Sequence, residues 1–169
     1  MRARTAASAQ RPHTTIFSAY AFLSLLGQFA VHITFLIASV KLAEAYAPGA
    51  KKPDPDSGFE PNLVNTVSYT TNMIIQIATF GVNYIGHPFN DALTDNKALF
   101  NALWYSGVFF AVLSLDVYRP LNDSLQLVPL PPGFRWPLLL MAICDISSAY
   151  AIEHGLRWLL PPPKKVVRL

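Results

Sequence analysis

The stretch NLVNTVSYTTNMIIQIATFGVN, Asn62 to Asn83, decides how this chain is read. Its polar residues fall at Asn62, Asn65, Tyr69, Asn72, Gln76, Thr79 and Asn83, alternating steps of three and four within an otherwise apolar run. An α-helix brings positions three and four apart onto one face, so these side chains form one continuous stripe. The stretch is 22 residues long. At about 1.5 Å per residue it covers roughly the 30 Å of a bilayer's hydrocarbon core. Lipid offers amides no hydrogen-bond partner, so a membrane helix with a polar seam needs protein neighbours. The seam predicts a helix built into a larger polytopic assembly, acting as interhelical packing glue or as part of a substrate pathway.

The rest of the chain agrees with a membrane setting. Of its 169 residues 52% are apolar and only 14% are charged, and mean hydropathy is positive. Soluble domains carry about a quarter charged residues. The charges also sit apart from the apolar runs. None occurs from Thr14 to Val40 or from Asn62 to Tyr84; Ala98–Tyr118 holds only Asp116, and Pro137–Leu160 only Asp145, Glu153 and Arg157. The predicted organisation is an all-α membrane protein with a polar, disordered leader (1–13), a four-helix transmembrane segment (14–160) and a basic tail (161–169). Its spans are expected at about 14–40, 62–85, 98–118 and 137–160. The first span is too long for a signal-peptide core, and no small-residue cleavage site clearly follows it.

Two Pro-rich connections, Pro48–Pro61 and Arg119–Arg135, read as exposed loops, and Gly86–Lys97 reads as a tight structured turn. Pro61 suits the first position of the second helix. The basic residues are scattered around span ends, which argues against nucleic-acid binding. Arg2, Arg4, Arg11, Lys97, Lys164, Lys165 and Arg168 fall on one side, and Lys41, Lys51, Lys52, Arg119 and Arg135 on the other. Under the positive-inside rule this places both termini in the cytosol. Asn122-Asp123-Ser124 is then a possible glycosylation sequon at Asn122 in a lumenal loop.

Within the spans a few polar groups stand out. Ser24, Gln28 and His32 share one face of the first span, beside Gly27, which permits close helix approach. Asp145 lies about a third of the way into the fourth span, where a carboxylate must face protein or water. It reads either as a functional site or as a hydrogen bond to another helix, the asparagine seam included. Glu153 and Arg157 are four apart and are expected to neutralise each other near the membrane surface. Asp116 is expected to reach water at the end of the third span. Cys144 is the only cysteine, which excludes an intrachain disulfide and a metal-binding cysteine pattern. No metal site is predicted. No phosphate loop or HExxH motif occurs, so no catalytic residue is assigned.

The run Phe59-Glu60-Pro61-Asn62-Leu63-Val64-Asn65-Thr66 resembles the last membrane helices of type V P-type ATPases. Phe80, Val82-Asn83-Tyr84, Gly86-His87-Pro88-Phe89, Leu93 and Asn96-Lys97 narrow the resemblance to subgroup A, the endoplasmic-reticulum transmembrane-helix dislocases. Gln28-Phe29 and His32 fit the same pattern. The resemblance implies the final four helices of the transport domain, in the endoplasmic reticulum membrane. It implies support helices that brace the moving core and line part of a cavity for a hydrophobic transmembrane-helix substrate. The implied partners are the remaining helices and cytosolic domains of a parent pump, with membrane lipid around them. ATP and Mg2+ are implied for the full-length enzyme and no cofactor for this chain, because the Asp-Lys-Thr-Gly phosphorylation motif and the Thr-Gly-Glu loop are absent from it. On this resemblance the chain is a C-terminal fragment. Two alternatives stay open: a stand-alone four-span scaffold or chaperone partner, and an ion-pathway element of a cation-transporting ATPase built on Asp145 and the seam.

Overall fold

A computed structural model describes residues 18–49, 58, 60–86 and 90–161. The leader 1–13, most of the first Pro-rich loop, Phe59, His87-Pro88-Phe89 and the basic tail beyond 161 lie outside the described residues. The elements are α1 (Ala19–Tyr46), α2 (Leu63–Val82), α3 (Lys97–Ser114), a short α4 (Arg119–Ser124) and α5 (Pro132–Leu159), with no strand among the described residues. The protein is all-helical. Three helices, α1, α3 and α5, are long and apolar enough to cross a membrane. The helix α2 has the length of the remaining expected span, but the hydroxyls and amides of its seam lower its hydropathy.

Local chemistry sets the helix ends. Ser18, Asn62 and Asn96 cap α1, α2 and α3, each side chain accepting from a backbone N–H three residues on, at 3.2, 2.8 and 3.3 Å. Pro61 therefore precedes the cap of α2 rather than opening the helix. The third helix stops at Ser114, short of the expected Tyr118, because Asp116 turns left-handed at φ 55°. The N–H groups of Asp116 and Val117 return to Leu113 and Val112, a Schellman closure with Asp in the place glycine usually takes. Gln126 ends α4 in the same way at φ 56°. The second Pro-rich connection, expected as a loop, is thus half helical. The last helix begins at Pro132, five residues before the expected Pro137, since a proline at the first position loses no hydrogen bond.

The helices α1, α2 and α5 form the core, and α3 packs on α2 and α5. One apolar cluster joins Ala43, Val67, Leu130, Phe134 and Leu138; a second joins Ile74, Phe110 and Ala142. Antiparallel pairing of α1 with α2 follows from two bonds: Gln28 meets Asn83, and Thr71 Oγ1 donates to Ser39 Oγ at 3.1 Å. α5 is likewise antiparallel to α1. Gly27 sits where a Cβ would lie 3.0 Å from Ile152, so the missing side chain lets these two helices close up. Outward-facing Phe22, Leu26, Trp104, Leu140 and Ile143 are exposed, as lipid-facing side chains are. Trp136 and Trp158 stand exposed near the two ends of α5, where interface anchors belong.

Candidate functional site

The buried face of α1 is polar. Tyr20, Ser24, Gln28, His32 and Ser39 point inward on helical spacing, toward α5 and α2. Opposite them α5 presents Asp145, Ala149 and Glu153, again four apart and all buried. The two helices therefore meet through a ladder of hydrogen bonds in a membrane interior that lacks water to supply them.

Glu153 forms one rung. Only 2% exposed, it takes hydrogen bonds from the Tyr20 and Ser24 hydroxyls and from Gln28 Nε2, the last at 3.3 Å. Arg157 Nε lies 2.7 Å from its Oε1. The expected neutralisation by Arg157 is present, but Glu153 is a buried hub rather than half of a surface pair. Such a carboxylate is tolerable because several donors satisfy its lone pairs at once. The next rung is His32 and Asp145. His32 Nδ1 lies 2.8 and 3.0 Å from the two Asp145 oxygens, and both residues are buried. Asp145 is thus engaged by α1, not by the asparagine seam.

The seam itself faces away. Asn65, Tyr69, Asn72, Gln76, Thr79 and Asn83 are all exposed, while α2 buries Thr66, Val67, Thr70, Thr71, Ile74, Ala78 and Val82. Asn62 serves as the helix cap. Asn72 donates only to the Ser68 carbonyl of its own helix, at 2.9 Å. Asn83 alone reaches another helix, in a reciprocal amide pair with Gln28 at 2.9 and 3.0 Å. The stripe divides two grooves. Asn72, Thr79 and Asn83 line one of about 610 Å³ against α1, whose other wall includes Phe29, His32 and Ile33. Gln76 lines a smaller one of about 300 Å³ against α3.

Asp116 does not simply reach water. It accepts from Asn122 Nδ2 at 2.6 Å and faces the guanidinium groups of Arg119 and Arg135. Asn122 is 3% exposed, and the same Nδ2 also donates to the Leu113 carbonyl at 3.2 Å. The sequon asparagine is therefore enclosed by the fold and tied to the end of α3. Arg135, read from sequence as a topology charge, donates to the Leu115 carbonyl at 2.9 Å and so caps α3.

Among the described residues no group of three His, Cys, Asp or Glu is arranged to hold a metal ion. The His32–Asp145 pair orients an imidazole, and among the described residues no hydroxyl or thiol bonds its Nε2. The Glu153 hub escaped sequence reading because Tyr20 and Ser24 lie 133 and 129 residues away. The matching four-residue registers Ser24-Gln28-His32 and Asp145-Ala149-Glu153 were the available signal.

The chain matches no protein-family model. It is 54% identical over 154 residues to a probable manganese-transporting ATPase of Arabidopsis thaliana, covering 91% of this chain and 13% of that protein. It is 37% identical over 148 residues to the endoplasmic reticulum transmembrane helix translocase of Schizosaccharomyces pombe, and 33% over 149 residues to that of Saccharomyces cerevisiae. Each of these two alignments covers 87% of this chain and 12% of the yeast protein. The chain thus spans about an eighth of the length of these curated relatives.

Proposed function

Since this chain belongs to the type V P-type ATPase family of endoplasmic reticulum transmembrane helix translocases, we propose that it is a bracing segment of such a pump's membrane domain. It holds the outer wall of the transport core and contributes the α2 seam to the surface on which the other membrane helices of the longer protein move. ATP and Mg2+ act elsewhere in that protein. The client is a hydrophobic transmembrane helix, and the membrane is that of the endoplasmic reticulum.

The observation that carries this reading is the outward orientation of the seam. Six amide- or hydroxyl-bearing positions of α2, from Asn65 to Asn83, are exposed although the helix is well packed on its other face. Membrane hydrogen bonds are worth about 0.6–2 kcal/mol each, so amides left in hydrocarbon forgo a substantial sum that companion helices recover. In this reading α2 is the fourth span. It runs antiparallel beside α1 from the Gln28–Asn83 pair to the Ser39–Thr71 bond, and therefore occupies the same depth of membrane. Four crossings put both termini on one side of the membrane, and the Lys/Arg bias makes that side the cytosol.

Photo-cross-linking tests the assignment. Benzoylphenylalanine at Gln76, in the longer polypeptide embedded in nanodiscs, is expected to join membrane helices of that polypeptide lying outside this segment. Cross-links to lipid alone would remove the bracing role.

A further inference from the structure

A hydroxyl exposed on a membrane helix can satisfy itself by donating to a carbonyl one turn back along its own helix. Thr34 Oγ1 does so at 2.7 Å, to Ala30. Thr79 Oγ1 belongs to an exposed residue too, yet it makes no hydrogen bond among the described residues. Two turns earlier on the same face of α2, the exposed Asn72 directs its Nδ2 to the Ser68 carbonyl at 2.9 Å. Its Oδ1 is left without a donor among the described residues. Both residues line the α1–α2 groove. The third seam residue there, Asn83, is already paired with Gln28. The groove thus presents two accessible polar residues with open hydrogen-bonding atoms, seven residues and about 10.5 Å apart along α2.

We propose that a companion membrane helix of the longer polypeptide lies lengthwise in this groove and carries two polar side chains seven residues apart. One donates to Asn72 Oδ1 and the other pairs with Thr79 Oγ1. The inference rests on the bracing reading above, and it names which groove is filled and the sequence pattern that fills it. The groove is long: its α1 wall runs from Tyr20 to Leu36, about 24 Å of helix axis. A polypeptide that extends so far through hydrocarbon with its own backbone satisfied is a helix. Helices packed at a shallow angle meet on a 3.5-residue repeat, so positions seven apart on one of them reach both groups. The opposite wall is the exposed apolar row Leu25, Phe29 and Ile33, against which the companion's aliphatic side chains pack. An acyl chain would fill the space but leave both polar groups without partners. A hydrophobic client likewise has no hydroxyl or amide to offer at either place, so the occupant is resident. The relatives' further length, about seven-eighths of each, supplies the polypeptide.

The test places benzoylphenylalanine at Phe29 in the longer polypeptide in nanodiscs and maps the cross-link by mass spectrometry. The expected product joins position 29 to a membrane helix of the same polypeptide, outside these 169 residues. That helix is expected to carry Ser, Thr, Asn, Gln, Tyr or Trp at two positions seven apart. With other cysteines replaced, Asn72→Cys and Thr79→Cys should each form a disulfide under mild oxidation, one with a cysteine at the first of those positions and one with a cysteine at the second. Should a cysteine variant fail to fold, benzoylphenylalanine at Ile33 must join the same helix three or four residues further along. A companion helix with no polar pair of that spacing, or one that forms the disulfides only from its apolar positions, overturns the paired recognition and leaves the bracing role standing. Lipid alone at Phe29, with a companion still captured at Gln76, overturns the filling of this groove. Absence of any companion at both positions overturns the bracing role as well. A product within this chain or with a separate client polypeptide overturns the choice of occupant.

Discussion

The hydroxyl of Tyr46 donates to the carbonyl of Gly133 at 3.1 Å. This is the carbonyl that Pro137 leaves without a helical partner, because proline has no N–H to send back four residues. The last residue of α1 thus repairs the break in α5, and its ring packs edge-on against Phe134. Removing the hydroxyl alone, Tyr46→Phe, is expected to cost about 1 kcal/mol in unfolding measured in bicelles. In a Pro137→Ala background, where the helix supplies its own N–H, that cost should vanish. An equal cost in both backgrounds would mean that the hydroxyl acts elsewhere.

The buried pair of His32 and Asp145 makes a second prediction. His32→Leu strands a carboxylate inside the bundle and should destabilise by about 3 kcal/mol or more. Replacing both residues by Leu removes the stranded charge, so the double variant should be the more stable of the two. Equal stabilities by equilibrium unfolding would show that Asp145 finds another partner.

At Glu153 the four donors predict an unequal hierarchy. Arg157→Ala leaves three donors in place and should cost about 1.5–3 kcal/mol, the worth of one hydrogen bond to a charged group. Glu153→Ala takes the acceptor from the Ser24 and Tyr20 hydroxyls and the counter-charge from Arg157 together, and should cost clearly more. Thermal unfolding of the two variants decides it; the reverse order would make Arg157 the centre of the cluster.

Close approach of α1 and α5 at Gly27 predicts a rescue. Gly27→Val should be destabilising, since the new Cβ meets Ile152 Cγ2 at 3.0 Å. Adding Ile152→Ala should recover part of the loss. No recovery would place the strain in the backbone rather than in that contact.

Topology is open to labelling. With Cys144 replaced by Ser, single cysteines at Gly49 and Asp95 flank α2. If α2 crosses the membrane, an impermeant maleimide added outside sealed microsomes should label only one of them, and detergent should expose the other. Labelling of both from one side would leave α2 as a non-crossing helix.

Much of this molecule is local, and was readable for that reason. Periodicity of apolar residues announced four long helices, and the three-four spacing of the asparagines announced a one-sided α2. Helix ends were harder to place. The expected stop at Tyr118 failed because Asp116 accepts a left-handed turn once Asn122 and two arginines surround its carboxylate. The expected start at Pro137 failed because Pro132 opens the helix and Tyr46 compensates the later proline. In both cases the deciding partner lies on another element.

By itself the amino-acid order determined that the chain is helical, suited to membrane, and in need of neighbours along α2, because helical periodicity and charge scarcity act within a few residues. It also carried the family likeness, which resides in short runs. Tertiary structure alone decided which polar groups pair: His32 with Asp145, Glu153 with Tyr20 and Ser24, and the seam, among the described residues, with another helix only through Gln28. Such pairing depends on the axial offset and rotation of one helix against another. Those are set by side-chain packing across the bundle, as where Gly27 meets Ile152, and no local spacing encodes them.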